Sequence, residues 1–365
     1  MTIDMEMDLE YLERAQRGEF DLGWLRSTNS EWGVRATPSK TGLTLRDIAI
    51  GSYGLVPEHA PRRSMAPRGS DVEGGVPDLG YTINDRAEVW SDNVMDLYEE
   101  AVARQWSATR DIAWNDLRPL DPDVEHAMCQ LATVLSEVEM VAADFPAKWL
   151  WQINQDFVEA KMFLCTQVMD EARHAEVFRK RALANGGGLG KATAVIERFL
   201  QLILDAKSYD EGSALMHLLG EGIVLSLFRA GEALAPSPVE QQIFRLCMQD
   251  EARHVAYGTM HLKYRLAADP SMASDFHAYL DKGEEIMTMI FSTPEIVEPT
   301  SILAAGSVEA AMALGTGAGD ILRKQIIGDY LKRCRHAGLD RAGRLQLPES
   351  MWLDVPGATL QAVAS

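Results

Sequence analysis

The sequence predicts an all-α fold built around a core of long helices. Beyond residue 85, apolar residues recur at spacings of three and four, and no convincing run of period-two alternation appears. Prolines and glycines separate the helical stretches, and one five-residue motif occurs twice, at 170–174 and 250–254. These observations favour helices packed on helices, without a sheet layer.

The N-terminal part begins with one predicted helix. Residues 4–18 have helix-forming composition and end at Gly18. From about 28 to 84 prolines alternate with glycines, so we expect an extended arm or long loop. The small basic group of this arm is large enough only for a surface contact and consists of Arg62, Arg63 and Arg68.

Helices are predicted for most of the remaining chain. Asp121 followed by Pro122 marks a helix N-terminus, and Pro236-Ser237-Pro238 marks a break. The predicted segments are 90–107, 121–150, 154–184, 191–207, 210–234, 238–267, 272–291 and 306–337. We therefore expect three parts: an N-terminal helix and arm at 1–85, a helical domain at 86–340 and a C-terminal tail at 341–365.

Charge and composition argue against several classes of protein. The 365 residues include 35 Lys+Arg and 54 Asp+Glu, a formal net charge of −19, which disfavours nucleic acid as a partner. No apolar run approaches the roughly 20 residues that span a bilayer, and the acidic N-terminus is unlike a signal peptide. We expect a cytoplasmic protein with no membrane partner. Neither a disulfide framework nor a thiolate zinc site is indicated by the four widely spaced cysteines, Cys129, Cys165, Cys247 and Cys334.

The repeated motif reads Asp-Glu-Ala-Arg-His, and its geometry on a helix points to metal binding. At about 100° per residue, Asp170, Glu171 and His174 share one helix face, and Arg173 can pair with Asp170. The second copy repeats the arrangement with Asp250, Glu251, Arg253 and His254. Two helices that each carry Glu-x-x-His, with one Glu from each of two others, form the two-metal carboxylate site of a four-helix bundle.

Two further glutamates stand where such a site requires them. In an antiparallel helix hairpin, residues at the same height are equidistant from the turn. The midpoint of Glu221 and Glu251 is residue 236, inside the proline break. The midpoint of Glu139 and Glu171 is residue 155, inside a polar, turn-like stretch.

Glu137 is an alternative to Glu139 as a ligand. Glu139 lies on the same side of its helix as Leu135 and other apolar residues, whereas Glu137 lies on the side of Met140. We therefore favour Glu139 and expect Glu137 to be solvated or at an interface.

Four glutamates in a bundle core would be severely destabilising without compensating charge. Two divalent irons would balance the four carboxylates, and oxygen and nitrogen ligands without thiolates suit iron or manganese. Asp170 and Asp250 are expected to accept the outer N–H of the imidazoles, although which imidazole each aspartate serves is open. The predicted metal ligands are Glu139, Glu171, His174, Glu221, Glu251 and His254, supported by Asp170, Asp250, Arg173 and Arg253.

Residues one turn from the predicted ligands are mostly small or apolar, so we expect a cavity for an apolar or aromatic portion of a substrate. They are Ala142, Ala143, Gln167, Ala175, Phe178, Leu225 and Phe228, with Cys247 as a further candidate. Surface or core positions are expected for His59, His126, His217, His261, His277 and His336. Of these histidines, only His217, one turn before Glu221, is a candidate for the site.

The two motifs and their partner glutamates resemble the ferritin-like di-iron carboxylate superfamily. The relevant branch holds the ribonucleotide reductase small subunit, the multicomponent monooxygenase hydroxylases and the acyl-carrier-protein desaturases. Leu219-Gly220-Glu221-Gly222 and Gln105-Trp106-Ser107-Ala108 also resemble helix segments of the reductase-like proteins. The resemblance, which covers about residues 100–265, implies a ferritin-like four-helix bundle. With the helices and the arm predicted above, we expect this bundle to carry additional helices and a long N-terminal arm. The resemblance also implies two iron ions, with manganese possible at either site, a homodimer, and an electron donor such as a reductase or ferredoxin.

Two departures from these relatives narrow the expected function. Phe178 stands where the reductase subunit has its radical-forming tyrosine, and Leu225 stands where the monooxygenases have a threonine. We expect an enzyme that uses O2 to hydroxylate or N-oxygenate a small organic substrate, with no catalytic residue beyond the metal site. The alternatives are a desaturase that docks a carrier through the basic group of the arm, a radical-generating subunit using Tyr257, and a ferroxidase or iron-storage protein.

Overall fold

The structure is a computed structural model that describes residues 9–26, 31–61, 64–315 and 317–355. Within these ranges the fold is all-α, as predicted, and the β-type pairing consists of isolated bridges. The N-terminal part contains helix α1 at Leu9–Gln16 and the short helix α2 at Leu45–Ile48. The predicted helix over 4–18 thus corresponds to α1, and its first residues lie outside the described ranges.

Two helix hairpins form the bundle. Helix α3 at Val94–Ala103 precedes the first hairpin, which consists of α4 at Pro122–Leu150 and α5 at Val158–Ala184. The Asp121 side chain caps α4 by accepting from the backbone N–H of Asp123, and the α4–α5 turn falls at the predicted polar stretch. The first hairpin therefore has the symmetry that its glutamate spacing predicted.

The second hairpin begins with an irregular helix. Helices α6 at Ala194–Leu204 and α7 at Tyr209–Ser213 come first, and a π-helical segment at Ala214–Gly220 then leads into α8 at Glu221–Leu234. Ser237 caps the long helix α9, Pro238–Ala268, so the turn lies at the predicted proline break. The predicted continuous helix over 210–234 is therefore interrupted by a π-helical segment, which periodicity alone does not reveal.

The remaining helices surround the bundle. They are α10 at Ala273–Ile290, α11 at Pro294–Ala305, α12 at Val308–Leu314 and α13 at Gly317–His336. Helix α11 packs on α4, α6 packs on α4 and α10, and α13 packs on α8. The predicted helix over 306–337 is wrong in detail, because Gly315 ends α12 before α13 begins. Helix α11, which carries a proline inside the helix, was not predicted from the sequence.

The predicted helix over 90–107 also ends early, at Ala103. Gln105 and Trp106 lie in the following non-helical stretch, where their side chains hydrogen-bond to Asp170 and Asp250. This stretch therefore covers the end of the bundle at which the two repeated motifs meet.

The arm and the C-terminal residues contribute to the same packed core. Ala60 and Ile83 from the arm are buried in the main apolar cluster, together with Trp352 near the C-terminus. The Arg68 guanidinium is buried against the Glu159 carboxylate, so the expectation that Arg68 forms part of a surface group is wrong. Arg62 and Arg63 lie outside the described residues. The division of the chain at residues 85 and 340 stays a prediction.

One helical stretch, Tyr209–Leu234, is long and apolar enough to span a membrane by length and composition alone. Of its most apolar window, 56% is buried inside the bundle, as expected for a core helix.

Candidate metal centre

The six predicted ligands come together in the middle of the bundle. Glu139 projects from α4, Glu171 and His174 from α5, Glu221 from the start of α8, and Glu251 and His254 from α9. None of their side chains is more than about 2% exposed. Candidate donor atoms form two overlapping groups, in each of which all atoms lie within 4.8 Å of one another.

Glu171 and Glu251 are shared between the two groups. The oxygens of Glu171 lie 3.2 Å from His174 Nδ1 and 2.9 Å from His254 Nδ1. Those of Glu251 lie 3.4 Å and 3.6 Å from the same two nitrogens. Glu139 completes the His174 group and Glu221 the His254 group, each about 3.6–3.7 Å from its imidazole Nδ1. The arrangement is that of two adjacent ligand sets linked by two bridging carboxylates.

Each imidazole is oriented by the aspartate of the opposite motif. His174 Nε2 lies 3.1 Å from Asp250, and His254 Nε2 lies 3.4 Å from Asp170. The sequence left open which imidazole each aspartate serves. In the structure, each aspartate contacts the imidazole of the other motif. A carboxylate on Nε2 holds that proton and leaves Nδ1 free to coordinate.

Two buried arginines hold the aspartates in place. Arg173 pairs with Asp170 on its own helix and donates to Asp250 at 2.8 Å, while Arg253 pairs with Asp250 and donates to Asp170 at 3.1 Å. Each arginine therefore contacts both aspartates. This geometry agrees with the prediction that the aspartates and arginines of the two motifs support the candidate ligands.

Gln105 and Trp106 complete this network, and the sequence analysis did not assign them to the site. Trp106 Nε1 donates to Asp250 at 2.7 Å, and its ring lies under the Arg173 guanidinium, 4.8 Å from the ring centroid. Gln105 accepts from Arg173 and donates to Asp170. The sequence pointed to these two residues only through the likeness of residues 105–108 to the reductase-like proteins. Local spacing could not connect them to the two motifs, which are distant in sequence.

The electrostatics of the cluster favour bound cations. Burial raises the pKa of Glu139 and of Glu221 well above the usual carboxyl range. Burial alone would lower the pKa of His254, but Glu171 and Asp170 raise it well above its ordinary value. In the absence of metal, protons therefore reside on groups that a cation would deprotonate on binding.

The donor atoms left without hydrogen bonds fit a pair of metal ions. At least one carboxylate oxygen of each of the four glutamates makes no hydrogen bond although it is buried, and both oxygens of Glu251 are unpartnered. His254 Nδ1 is unpartnered as well. Such orphaned buried groups are costly unless something else satisfies them, and four carboxylates with two imidazoles match two divalent cations of the iron or manganese type.

An apolar cavity of about 100 Å³ borders the carboxylate side of the cluster. Glu139, Glu221 and Glu251 line it, together with apolar side chains from α4, α6, the π-helical segment, α8, α10 and α11. Neither histidine contributes to its wall. The cluster therefore has an apolar side facing the cavity and a polar side formed by the aspartate–arginine network.

The cavity differs from the one predicted by counting one turn from the ligands. Ala142 lines it, whereas Phe178, Phe228 and Cys247 pack in a separate apolar cluster. Gln167 hydrogen-bonds to Glu221 instead of lining the cavity, and Leu225, Ala143 and Ala175 are also absent from its wall. Of the predicted pocket residues, only Ala142 therefore borders this cavity. Other parts of its wall come from α6, the π-helical segment, α10 and α11 and include Ile196, Phe199, Leu200, Met216, Ile290 and Ile296.

The structure also distinguishes between Glu139 and Glu137, the two alternative candidates for one ligand position. Glu139 is in the cluster, whereas Glu137 faces Glu197 on α6, and burial together with that neighbour raises the pKa of Glu137 to about 7.

Glu139→Gln should therefore weaken binding of one metal ion by at least about 100-fold, more than the loss of a residue that only supports a ligand. Glu137→Gln should bind both ions like the wild type. Anaerobic Fe(II) titration of both variants checks this, and equal losses in the two would contradict the placement.

Comparisons with known proteins agree with the fold. No protein-family model matches the chain, and no curated protein matches it. The chain is similar to solved structures of R2-like ligand-binding oxidases. One, with an aerobically reconstituted Mn/Fe cofactor after a long soak, matches at 20% identity and TM-score 0.55, with coverage of 70% of this chain and 95% of the other. Another, with its aerobically reconstituted metal cofactor after photoconversion, matches at 18% identity, TM-score 0.57, and 69% and 95% coverage.

A third structure in this set is a point mutant with an aerobically reconstituted Fe/Fe cofactor, at 20% identity, TM-score 0.55, and 69% and 95% coverage. At these identities the similarity establishes the fold alone. The prediction of an all-α, ferritin-like fold is confirmed.

Proposed function

We propose that this protein is an oxidase with a dinuclear metal centre, either two irons or manganese with iron, that uses O2 to oxidise a small organic substrate. The observation that carries the proposal is the junction between the buried, orphaned carboxylates and the apolar cavity. R2-like ligand-binding oxidases that carry Mn/Fe or Fe/Fe cofactors on the same fold support the choice of metals. When bound, the metal pair would supply the O2 binding and electron transfer that protein side chains lack.

The chain's own residues would have distinct tasks. Glu139 with His174 would hold one ion and Glu221 with His254 the other, and Glu171 and Glu251, which belong to both groups, would help to hold both. Asp250 and Asp170 accept the Nε2 protons of the imidazoles and so leave Nδ1 as the nitrogen that would coordinate once its own proton is displaced. The cavity would bind the apolar portion of the substrate and exclude water beside the metals.

The cavity limits the size of the buried substrate portion. Its volume of about 100 Å³ is smaller than that of engineered cavities of about 150 Å³ that bind benzene. We therefore propose that the buried portion is no larger than a single ring or a short alkyl chain. Hydroxylation and N-oxygenation are the reactions that we propose first. An electron donor such as a reductase or ferredoxin, a homodimeric assembly and a cytoplasmic location are further parts of the proposal.

The alternative functions receive less support. Burial of Arg68 against Glu159 removes it from the basic group that we expected to dock an acyl carrier. The Phe163 ring contacts both Tyr257 and His254, and the Tyr257 hydroxyl is hydrogen-bonded to Tyr209 and to the Val89 carbonyl, not to a candidate ligand. A ferroxidase or iron-storage role would not require the apolar cavity beside the carboxylates.

Turnover by the reduced, iron-loaded protein tests the proposed function. Aromatic amines, phenols and acyl thioesters should be screened for substrate-dependent O2 consumption, with ¹⁸O2 to detect incorporated oxygen by mass spectrometry. Ala142→Phe should fill the cavity and lower turnover of an accepted substrate on the order of 100-fold, since misplacement by about 1 Å has effects of this size. Two irons should still bind.

Ala147→Phe is the matched control, because Ala147 is exposed on the same helix. Its turnover should equal that of the wild type. Substrate-independent O2 consumption with uptake of many irons per chain would instead favour iron storage.

A further inference from the structure

Glu221 stands apart from the other candidate ligands in how it is held. It follows the π-helical segment directly, and its carboxylate borders the apolar cavity. Gln167 on α5 donates to Glu221 Oε1 at 2.6 Å. Among the residues that the structure describes, no other N–H group donates a hydrogen bond to this carboxylate, and its Oε2 is unpartnered.

The amide of Gln167 is itself oriented by a buried chain of hydrogen bonds. His217 Nε2 lies 3.3 Å from Gln167 Oε1, and His217 Nδ1 lies 2.8 Å from Ser213 Oγ. Burial lowers the pKa of His217 well below its usual value, so the imidazole is neutral and carries one N–H. One direction of donation satisfies every group: Ser213 donates to His217, His217 donates to Gln167, and Gln167 donates to Glu221.

Side-chain packing also holds the residues of this hydrogen-bonded series in place. The His217 ring makes edge contacts with Phe145 and Tyr257, at centroid distances of 5.5 Å and 5.3 Å. On the neighbouring helix α9, a Cβ at Gly258 would lie 2.1 Å from His217 Cβ, so His217 occupies space that only glycine leaves open. These contacts hold the imidazole in a packed site, with its Nε2 directed at Gln167.

We propose that Gln167 is a positioning residue for Glu221, and that Ser213 and His217 hold its amide in the donating orientation. The reversed amide would present its oxygen to the carboxylate and its nitrogen to the His217 N–H, which are two unfavourable contacts. The carboxylate would then be free to rotate towards the cavity. This inference rests on the proposed function, because it requires Glu221 to bind metal.

Mössbauer spectroscopy of anaerobic protein loaded with ⁵⁷Fe(II) tests the proposal. The wild type should show two doublets of equal area, one per iron. In Gln167→Leu, the doublet of the iron bound by Glu221 should change while the other stays, and affinity for that iron should fall about 10- to 100-fold. His217→Leu should act in the same direction, and the double variant should be no worse than Gln167→Leu, because the two residues act through one chain.

Two further variants separate positioning from general packing. His217→Gln retains a donor that can reach Gln167 and should keep the wild-type spectrum, in contrast to His217→Leu. Ser226→Ala removes a different buried hydroxyl, bonded to the Gly222 carbonyl on α8, and should leave both doublets unchanged. Should Gln167→Leu fail to fold, the comparison of His217→Gln with His217→Leu makes the same test.

The outcomes distinguish the two proposals. A wild type that binds two irons, together with a Gln167→Leu variant whose two doublets are unchanged, overturns the positioning role and leaves the proposed function intact. A wild type that binds no iron overturns both.

Discussion

Glu251→Ala is expected to abolish metal binding and the thermal stabilisation that metal provides. Glu251 lies within 3.4–3.6 Å of both imidazole Nδ1 atoms and belongs to both donor groups, so its loss would remove a candidate ligand from each. Fe(II) at 100 times its dissociation constant should stabilise the wild type by about 2.7 kcal/mol for each bound ion, and the variant not at all. Calorimetry with and without Fe(II) under anaerobic conditions measures this difference.

The metal-free Glu251→Ala protein is expected to be at least as stable as the metal-free wild type. Both oxygens of Glu251 are buried without a hydrogen bond, and three other glutamates lie beside it. Removing a buried carboxylate that lacks partners relieves a desolvation and repulsion cost. A purely structural Glu251 would give the opposite result, namely a large loss of stability in the metal-free protein.

Glu176→Ala serves as the control for this comparison. Glu176 is exposed on α5 and pairs with Lys180, away from the cluster. Its replacement should leave the stabilisation by Fe(II) intact. A surface pair of this kind contributes little stability, so the melting temperature should hardly change.

Gly258→Ala is expected to cause the second large effect, through a site that touches no metal ligand. The added methyl would lie 2.1 Å from His217 Cβ and 2.6 Å from its Cγ, and these atoms cannot move away as the end of a flexible side chain can. His217 and the π-helical segment must shift, at a cost of about 3 kcal/mol in the free energy of unfolding. Urea denaturation should show this loss, and iron binding near Glu221 should weaken with it.

Gly328→Ala is a matched helical control. A Cβ at Gly328 would meet its nearest neighbour, a Val355 methyl, at 3.6 Å, an ordinary contact distance. Because alanine favours a helix more than glycine does, this variant should be stabilised by about 0.5–1 kcal/mol. Equal destabilisation of both variants would show that the close approach at Gly258 has no special consequence.

The clustering of the six candidate ligands could be predicted because local geometry determines it. Helical periodicity places Glu171 beside His174, and the symmetry of a hairpin about its turn places Glu139 and Glu221 opposite the motifs. Helical periodicity and hairpin symmetry both depend only on the number of residues between two positions in the sequence. The structure accordingly brings together all six predicted side chains.

The surroundings of the centre could not be predicted, because they depend on contacts between segments distant in sequence. Periodicity cannot show that Trp106 reaches Asp250 from a non-helical stretch. Nor can it show that α6 and α11 form the cavity wall, whereas Phe178 and Phe228 pack elsewhere. The π-helical segment likewise depends on tertiary packing, since Gly258 on another helix leaves the room for His217.

Anomalous X-ray diffraction from crystals loaded with Fe(II) tests the central claim most directly. Data collected at the iron edge should show two peaks about 3.5–4 Å apart, the separation usual in two-metal sites. Glu171 and Glu251 should lie between the peaks, with His174 and His254 on either side. Absence of both peaks, or iron bound only outside these six side chains, would contradict the assignment of this cluster as a dinuclear metal centre.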